Sequence, residues 1–291
     1  MSTSKYTKTV LLDVIIPVKN RDEVLQSVDS ILAAQSLIQS ILLCTPAECM
    51  AEPHHKQQST FPAVLAQLAQ WEKIQIVTVP MQQFNKSILL NCGLVAAEAE
   101  LILIADADIL WTPETLKRLV QTVEKHDRTI ATVAQVRESQ PQSTAVQRDR
   151  YTYRIHPHAR TPTVEILPVT DDTPHRPGCG LICAKQQTFL ALGGYKEIFR
   201  GWGWEDQDLL IRAALLGYTV QPLGEVTHLS HSDRSRNPDY QHLDPKISRD
   251  RNILAALQSL SQGNLQGDLP NKLPLRQTFR SIRINLPDGL K

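Results

Sequence analysis

Three short stretches of this chain combine residue types that can do chemistry. Directly after the apolar run Leu101–Ala105 come Asp106-Ala107-Asp108. Two carboxylates one residue apart at the end of a buried strand can hold a divalent cation whose remaining ligands are diphosphate oxygens. The same residues would also serve as an Asx turn leading into a helix. The second stretch is Gly201-Trp202-Gly203-Trp204-Glu205-Asp206-Gln207-Asp208. Exposed indoles beside carboxylates can stack a sugar ring and bond its hydroxyls. Leu209, Leu210, Ala213, Ala214 and Leu216 follow at helical spacing and Gly217 is a natural stop. The acids therefore fall in a first helical turn, where the dipole favours the ionised carboxylate. The third stretch holds His228 and His231. Two imidazoles three residues apart could share a metal if the chain turns between them, or could sit unconnected on a surface.

Smaller features accompany these. Pro17-Val18-Lys19-Asn20-Arg21 ends the first apolar run, and Arg21 could contact a base or a phosphate or lie in a solvated turn. Phe84-Asn85-Lys86 opens a helix that carries Asn91-Cys92-Gly93, residues that would equally serve capping and packing. Gly178-Cys179-Gly180 offers backbone that could approach a ligand closely, or an ordinary turn. No base partners Cys179, and Walker A, G-x-G-x-x-G and H-E-x-x-H patterns are absent. ATPase, dinucleotide-dependent and zinc-protease chemistries therefore lack support.

The elements that must position these groups follow from periodicity. Val10–Val18 is a β-branched apolar run, the pattern of a strand buried on both faces. Glu23–Ala34 has helical spacing, Ser40–Cys44 is a second strand, and Thr45–Thr60 is expected as a loop. Ala63–Trp71 predicts a helix, Ile74–Val79 a strand, Ser87–Ala97 a helix and Leu101–Ala105 a buried strand. This alternation implies an α/β fold with a mostly parallel central sheet flanked by helices, and ligands then bind beyond the carboxyl ends of its strands. Thr112-Pro113 caps a further helix, and Ile130–Val136 is a further strand. Arg137–Gly178 is rich in Gln, Thr, Pro and Arg and is expected as a long irregular insertion with one strand at Val164–Val169. Ile247–Leu260 predicts a helix. The expectation is one catalytic domain over residues 1–262 and a tail over 263–291.

Composition narrows the partners. Thirty-one Lys plus Arg face 30 Asp plus Glu, so no global field draws nucleic acid or an anionic membrane. Five cysteines, an odd number without a C-x-x-C pair, exclude a complete internal disulfide framework. A reduced, cytoplasmic setting is expected, with no transmembrane segment and with contact at a membrane surface left open.

Taken in order, IIPVKNR (15–21), FNKSILLNCG (84–93), ADADIL (105–110), GWGWEDQD (201–208) and HLSHSD (228–233) resemble the sequence blocks of GT-A fold glycosyltransferases. The resemblance is to the β-1,4-galactosyltransferase family and to bacterial chondroitin-synthase-like enzymes, and it spans about Val10 to Leu260. It implies transfer of a hexose or N-acetylhexosamine from a UDP-sugar to a hydroxyl of a glycan, glycolipid or other acceptor, with inversion. By position it implies Mn²⁺, or Mg²⁺ as the alternative, on Asp108, His231 and His228, the last standing where the animal enzymes have methionine. It implies Asp206 as general base, Glu205, Trp202 and Trp204 at the acceptor, and Pro17, Val18, Arg21, Phe84, Lys86, Asp106 and Gly180 around the nucleotide sugar. Trp204 replaces a glycine of the animal pattern. The position that selects galactose or N-acetylgalactosamine falls on Pro177 or Arg176. A retaining N-acetylgalactosaminyltransferase-like enzyme and a non-catalytic sugar- or nucleotide-binding relative are the competing readings.

Overall fold

Apolar runs without alternation need cover on both faces, and the strands at Leu12–Pro17, Ile38–Pro46 and Leu101–Ile104 have it. The computed structural model describes residues 10–50, 60–140, 150–157, 161–169, 175–231, 243–270, 273–274, 281–287 and 290. Strand β1 (Leu12–Pro17) is buried throughout. It is followed by helix α1 (Val24–Leu32), strand β2 (Ile38–Pro46) and a 3₁₀ turn (Ala47–Met50). Helix α2 (Phe61–Leu68), β3 (Ile74–Val79), α3 (Lys86–Ala96) and β4 (Leu101–Ile104) complete the first half. Strands β1 to β4 pair in parallel in the order β3-β2-β1-β4.

Successive residues of β1 and β4 serve opposite cores, as a pleated strand requires. Ile15, Ile102 and Ile104 pack with Leu89, Leu90 and Leu94 of α3. Val14, Ile16, Leu101 and Leu103 pack with Val24, Val28 and Ile31 of α1. A Cβ on Gly93 of α3 would lie 2.4 Å from Ile15 Cγ2, so α3 presses directly on β1. Asp13 is buried within β1 but fully bonded. Its Oδ1 accepts from Ser40 N and Oγ at 3.1 and 2.7 Å, and its Oδ2 accepts from Glu98 and Ala99 N at 2.7 and 2.8 Å.

The sheet continues through β5 (Ile109–Leu110), α4 (Pro113–Lys125) and β6 (Thr129–Glu138). Thr112 caps α4 by accepting from Thr115 N at 3.1 Å, with Pro113 at the first helical position. Next in the chain come β7 (Arg150–His156), β8 (Thr163–Val169), β9 (Arg176–Lys185), α5 (Gln186–Leu192), α6 (Glu205–Leu215) and β10 (Thr219–His228). Helix α7 (Pro245–Ser261) and β11 (Arg283–Asn285) close it. The large sheet has the order β3-β2-β1-β4-β9-β6-β10-β5, with β9 and β5 running against the other six.

The stretch expected to be irregular is ordered where it is described. Strand β6 runs on to Glu138, and β7 and β8 form an antiparallel pair extended by β11 into a second sheet, order β11-β8-β7. Gly178-Cys179-Gly180 lies inside β9 and is not a turn. The strand expected at Val164–Val169 is β8, whereas polar composition concealed β7, whose half-buried Tyr151, Tyr153 and Ile155 alternate with exposed polar residues. All five cysteines are free thiols. Among the described residues no helix is long and apolar enough to cross a membrane.

Candidate functional site

The carboxyl ends of β1, β4 and β10 border a cleft of about 780 Å³ that β6, β7, β9 and the start of α6 also line. Every residue nominated from the sequence lines it. Pro17, Val18 and Arg21 come from the end of β1, Phe84 and Lys86 from the start of α3, and Asp106 and Asp108 from the segment after β4. Gly180 comes from β9, and Trp202, Trp204, Glu205 and Asp206 from the loop into α6. His228 ends β10 and His231 follows it.

The first cluster centres on Lys86. Its Nζ lies 3.1 Å from Asp106 Oδ1, 3.1 Å from Asp206 Oδ2 and 3.4 Å from Glu205 Oε1. Burial would lower its pKa, but the three carboxylates outweigh burial and hold it well above the usual lysine range. One ammonium does not offset three carboxylates. Asp206 is therefore pushed up to about 8, first by burial and then by Glu205 and Asp106, with Lys86 acting against them. This corrects the expectation that the helix start keeps it ionised at neutral pH. Dehydration and two like charges outweigh a dipole worth at most about 2 kcal/mol. Its Oδ1 is buried with no hydrogen-bond partner among the described residues.

Gly180 explains how Asp206 fits. A Cβ there would stand 2.5 Å from Asp206 Oδ2 and 3.5 Å from Lys86 Nζ, so a strand residue with a side chain would displace the carboxylate. Asp208, third of the acidic group, points elsewhere. It is fully buried, 2.7 Å from Arg212 Nε and 3.3 Å from Lys196 Nζ, in a network that ties α6 to the loop after α5.

The second cluster joins Asp108, His228 and His231, whose potential ligand atoms all lie within 4.8 Å of one another. Asp108 Oδ2 is 3.0 Å from His231 Nε2 and 3.5 Å from His228 Nε2. Burial would raise the Asp108 carboxyl, but its contacts with both imidazoles hold it well below the usual range, with Arg21 adding to them. The short strand β5 makes this meeting, since Ile109 pairs with His228 and Leu229 N donates to Asp108 O at 2.8 Å. Ser232 and Asp233 of the last sequence block lie outside the described residues.

The tryptophans divide. Trp202 is half-buried on the cleft, whereas Trp204 is only 3% exposed and packs in the core, so the expectation of two exposed indoles holds for neither in full. Trp204 stands at the N-cap of α6 with φ 79°, after Gly201 at 72° and Gly203 at 94°. Left-handed backbone is costly for a tryptophan and is kept only where its surroundings impose it. Helix α7 imposes it here. Ser248 Oγ accepts from Trp202 N at 2.8 Å, and Asn252 Nδ2 donates to Gly203 O at 2.9 Å.

Helix α3 also holds this loop. Asn85 Nδ2 donates to Glu197 O and Phe199 O at 3.1 Å each. Asn91 exchanges hydrogen bonds with Tyr195 N and O at 2.8 and 2.9 Å. Sequence reasoning did not find Glu138, whose Oε2 lies 2.6 Å from His228 Nδ1. It stands in no recognisable spacing, and only the pairing of β6 with β10 brings it there. Burial would raise its pKa, but His228, Ser230 and Arg176 hold it down at about 2. Tyr151 and Tyr153 of β7 and Arg249 of α7 also line the cleft without a sequence signal.

The chain matches the family model described as glycosyl transferase family 2 over residues 58–179, and the model described as the N-terminal domain of galactosyltransferase over residues 172–232. The first match takes in Lys86, Asp106 and Asp108, and the second takes in Gly180, Trp202–Asp206 and both histidines. No curated protein matches the chain. Among solved structures it resembles GalNAc-T7, solved with UDP, GalNAc and Mn²⁺, at 14% identity and TM-score 0.59 over 88% of this chain and 49% of that one. This chain thus spans about half the length of that structure. It also resembles the mannosyltransferase PcManGT from Pyrobaculum calidifontis, solved with GDP-Man and Mn²⁺. There the identity is 16% and the TM-score 0.53 over 87% of this chain and 75% of that one. At these identities the structural likenesses establish the fold.

Proposed function

We propose the following reaction for this chain, which is a GT-A-fold glycosyltransferase: a hexose or N-acetylhexosamine passes from a UDP-sugar to an acceptor hydroxyl in one inverting displacement. The observation that carries it is the Oδ1 of Asp206, a buried carboxylate oxygen on the wall of the cleft with no hydrogen-bond partner among the described residues. A proton acceptor must be within reach of the hydroxyl it activates and must hold a pKa near the working pH. Lys86 fixes Oδ2 by a 3.1 Å contact, which leaves Oδ1 to take the acceptor proton as the oxygen attacks the anomeric carbon. Trp202, half-buried beside it, offers a face for the acceptor ring.

The residues fit a divalent cation. One carboxylate and two imidazoles converge, and Glu138 occupies the far nitrogen of His228, as outer partners of metal-bound histidines do. Mn²⁺, with Mg²⁺ as the alternative, would be held by Asp108, His228 and His231 and would neutralise charge on the departing diphosphate. Arg21, Pro17 and Val18 at the end of β1 and Phe84 and Asp106 nearby would hold the nucleotide and the donor sugar. GalNAc-T7 was solved with UDP and the mannosyltransferase with GDP-Man. The match to a galactosyltransferase model favours the UDP donor.

Asp206→Asn tests this. Transfer should fall by about 10²–10⁴ while calorimetry shows UDP binding in the presence of Mn²⁺ nearly unchanged. Full transfer by this variant would remove Asp206 as the base. A donor panel of UDP-Gal, UDP-GalNAc, UDP-Glc and UDP-GlcNAc, with GDP-Man as a control, identifies the sugar. NMR of the product anomer checks inversion, because an α product would favour the retaining reading.

A further inference from the structure

Glu138 is a buried carboxylate on the rim of the site that takes no part in the reaction as proposed. We infer that it is a positioning residue: it orients the ring of His228 directly and, through Ser230, fixes the chain that carries His231, so that both imidazoles face Asp108. The inference rests on the reading of Asp108, His228 and His231 as cation ligands.

Glu138 ends β6 and His228 ends β10, and the parallel register sets the two residues opposite each other. Their side chains are each 3% exposed. Burying a carboxylate is costly unless donors surround it, and three do. His228 Nδ1 lies 2.6 Å from Oε2, Ser230 Oγ donates to the same oxygen at 2.9 Å, and Arg176 Nε lies 3.4 Å from Oε1. A neutral imidazole carries one N–H. With that hydrogen on Nδ1 and directed at Glu138, the lone pair is on Nε2, the nitrogen 3.5 Å from Asp108.

The hold extends past the strand end. Ser139 N donates to His228 O at 2.8 Å and Ser230 N donates to Ser139 Oγ at 2.9 Å. Gln140 N donates to Ser230 Oγ at 3.0 Å while that hydroxyl donates to Glu138. Ser230 is therefore fixed on both sides, and the next residue, His231, reaches Asp108 at 3.0 Å. Without Glu138, the carboxylate nearest the His228 ring is Asp108 beside Nε2, which draws the hydrogen to the nitrogen that should carry the lone pair, and the turn before His231 loses its anchor.

Mn²⁺ titration of the purified chain without nucleotide or acceptor, read by the EPR signal of the free ion, tests this. Glu138→Leu should weaken Mn²⁺ binding by about 10–100-fold. Glu138→Gln should recover most of that loss, because its amide oxygen still accepts the Nδ1 hydrogen. Imidazole ¹⁵N spectra of the metal-free chain at alkaline pH should show the Nδ1–H form of His228 in the wild type and the Gln variant, and a shift towards the Nε2–H form in the Leu variant. Equal Mn²⁺ affinity in wild type and the Leu variant would overturn the assignment, as would an unchanged His228 tautomer in that variant. Should the Leu variant not fold, a Gln variant whose His228 no longer carries its hydrogen on Nδ1 also overturns it. Asp108→Asn separates the two readings. If it binds Mn²⁺ like the wild type, the cation site itself falls, whereas the tautomer still reports on Glu138.

Discussion

Asp206 stands where proton affinity and stability pull against each other. Its proton is held to about pH 8 in the fold, against an ordinary aspartate value near 3.8. Between these values the folded chain keeps a proton that the unfolded chain has released. Stability therefore falls as pH rises through that window, the reverse of the usual aspartate case. Asn cannot ionise, so Asp206→Asn should melt close to the wild type near pH 4 and at a higher temperature by pH 8. Every tenfold change in proton affinity is worth about 1.4 kcal/mol, which makes the gap several degrees. Thermal melts at both pH values check it, and a gap that shrinks towards pH 8 would contradict the burial argument. The residue types of this site were legible in the sequence, because Asp106, Asp108, Glu205, Asp206 and the histidines stand in recognisable spacings. Their charge states were not. The helix dipole can be read from sequence, whereas dehydration and the contacts to Lys86 exist only after folding. Glu138 was invisible for the same reason, since it meets His228 across 90 residues.

At the scale of elements, α3 does two tasks. Its apolar face packs under β1, and its asparagines hold the chain that leads into α6. Asn91 bonds both backbone groups of Tyr195 and also donates to Glu197 Oε1 at 2.9 Å. Asn91→Ala would leave the buried Tyr195 N–H without its acceptor, at about 1–3 kcal/mol, while Tyr195 O keeps the bond from Asp268 N at 3.0 Å. The variant should melt several degrees lower. Because the loosened chain carries Trp202 to Asp206, kcat should fall more than donor KM rises. Steady-state kinetics beside a melting curve test this, and an unchanged kcat in a destabilised variant would show that the loop is held without Asn91. Strands β1, β2 and β4 of the parallel half were readable because burial on both faces leaves apolar runs, and β3 because its apolar residues alternate with polar ones. Strands β7 and β9 were not, because β7 alternates tyrosines with polar residues and β9 carries Pro177, Gly178 and Gly180. Gly178 and Gly180 belong in that strand for local reasons. Val133 Cβ would lie 2.8 Å from a Cβ at Gly178, and Asp206 Oδ2 2.5 Å from one at Gly180.

Across the whole molecule the cleft lies between two sheets that bring different groups to it. The large sheet supplies the strand ends with Arg21, Asp106, Asp108 and His228, so a net charge of +1 conceals a concentrated acidic site. The small sheet supplies Tyr151 and Tyr153, with the Arg249 guanidinium 4.8 Å over the Tyr151 ring. With Asp206 proposed as the base, this aromatic wall of the same cleft is assigned to the acceptor side. That small sheet depends on the end of the chain, where β11 pairs with β8 and Ile282 and Leu290 are buried in the shared core. Burying two such side chains is worth about 1.5–3 kcal/mol each. Deleting residues 281–291 should therefore lower the melting temperature by roughly 10 °C. The groups proposed to hold the donor sit on the large sheet and on α3, which the deletion leaves in place, so below the new melting point donor KM should move little while acceptor KM rises several-fold. A deletion that raised donor KM as much as acceptor KM would mean that the two sheets do not divide the substrates. The small sheet would then hold the site together without shaping acceptor choice.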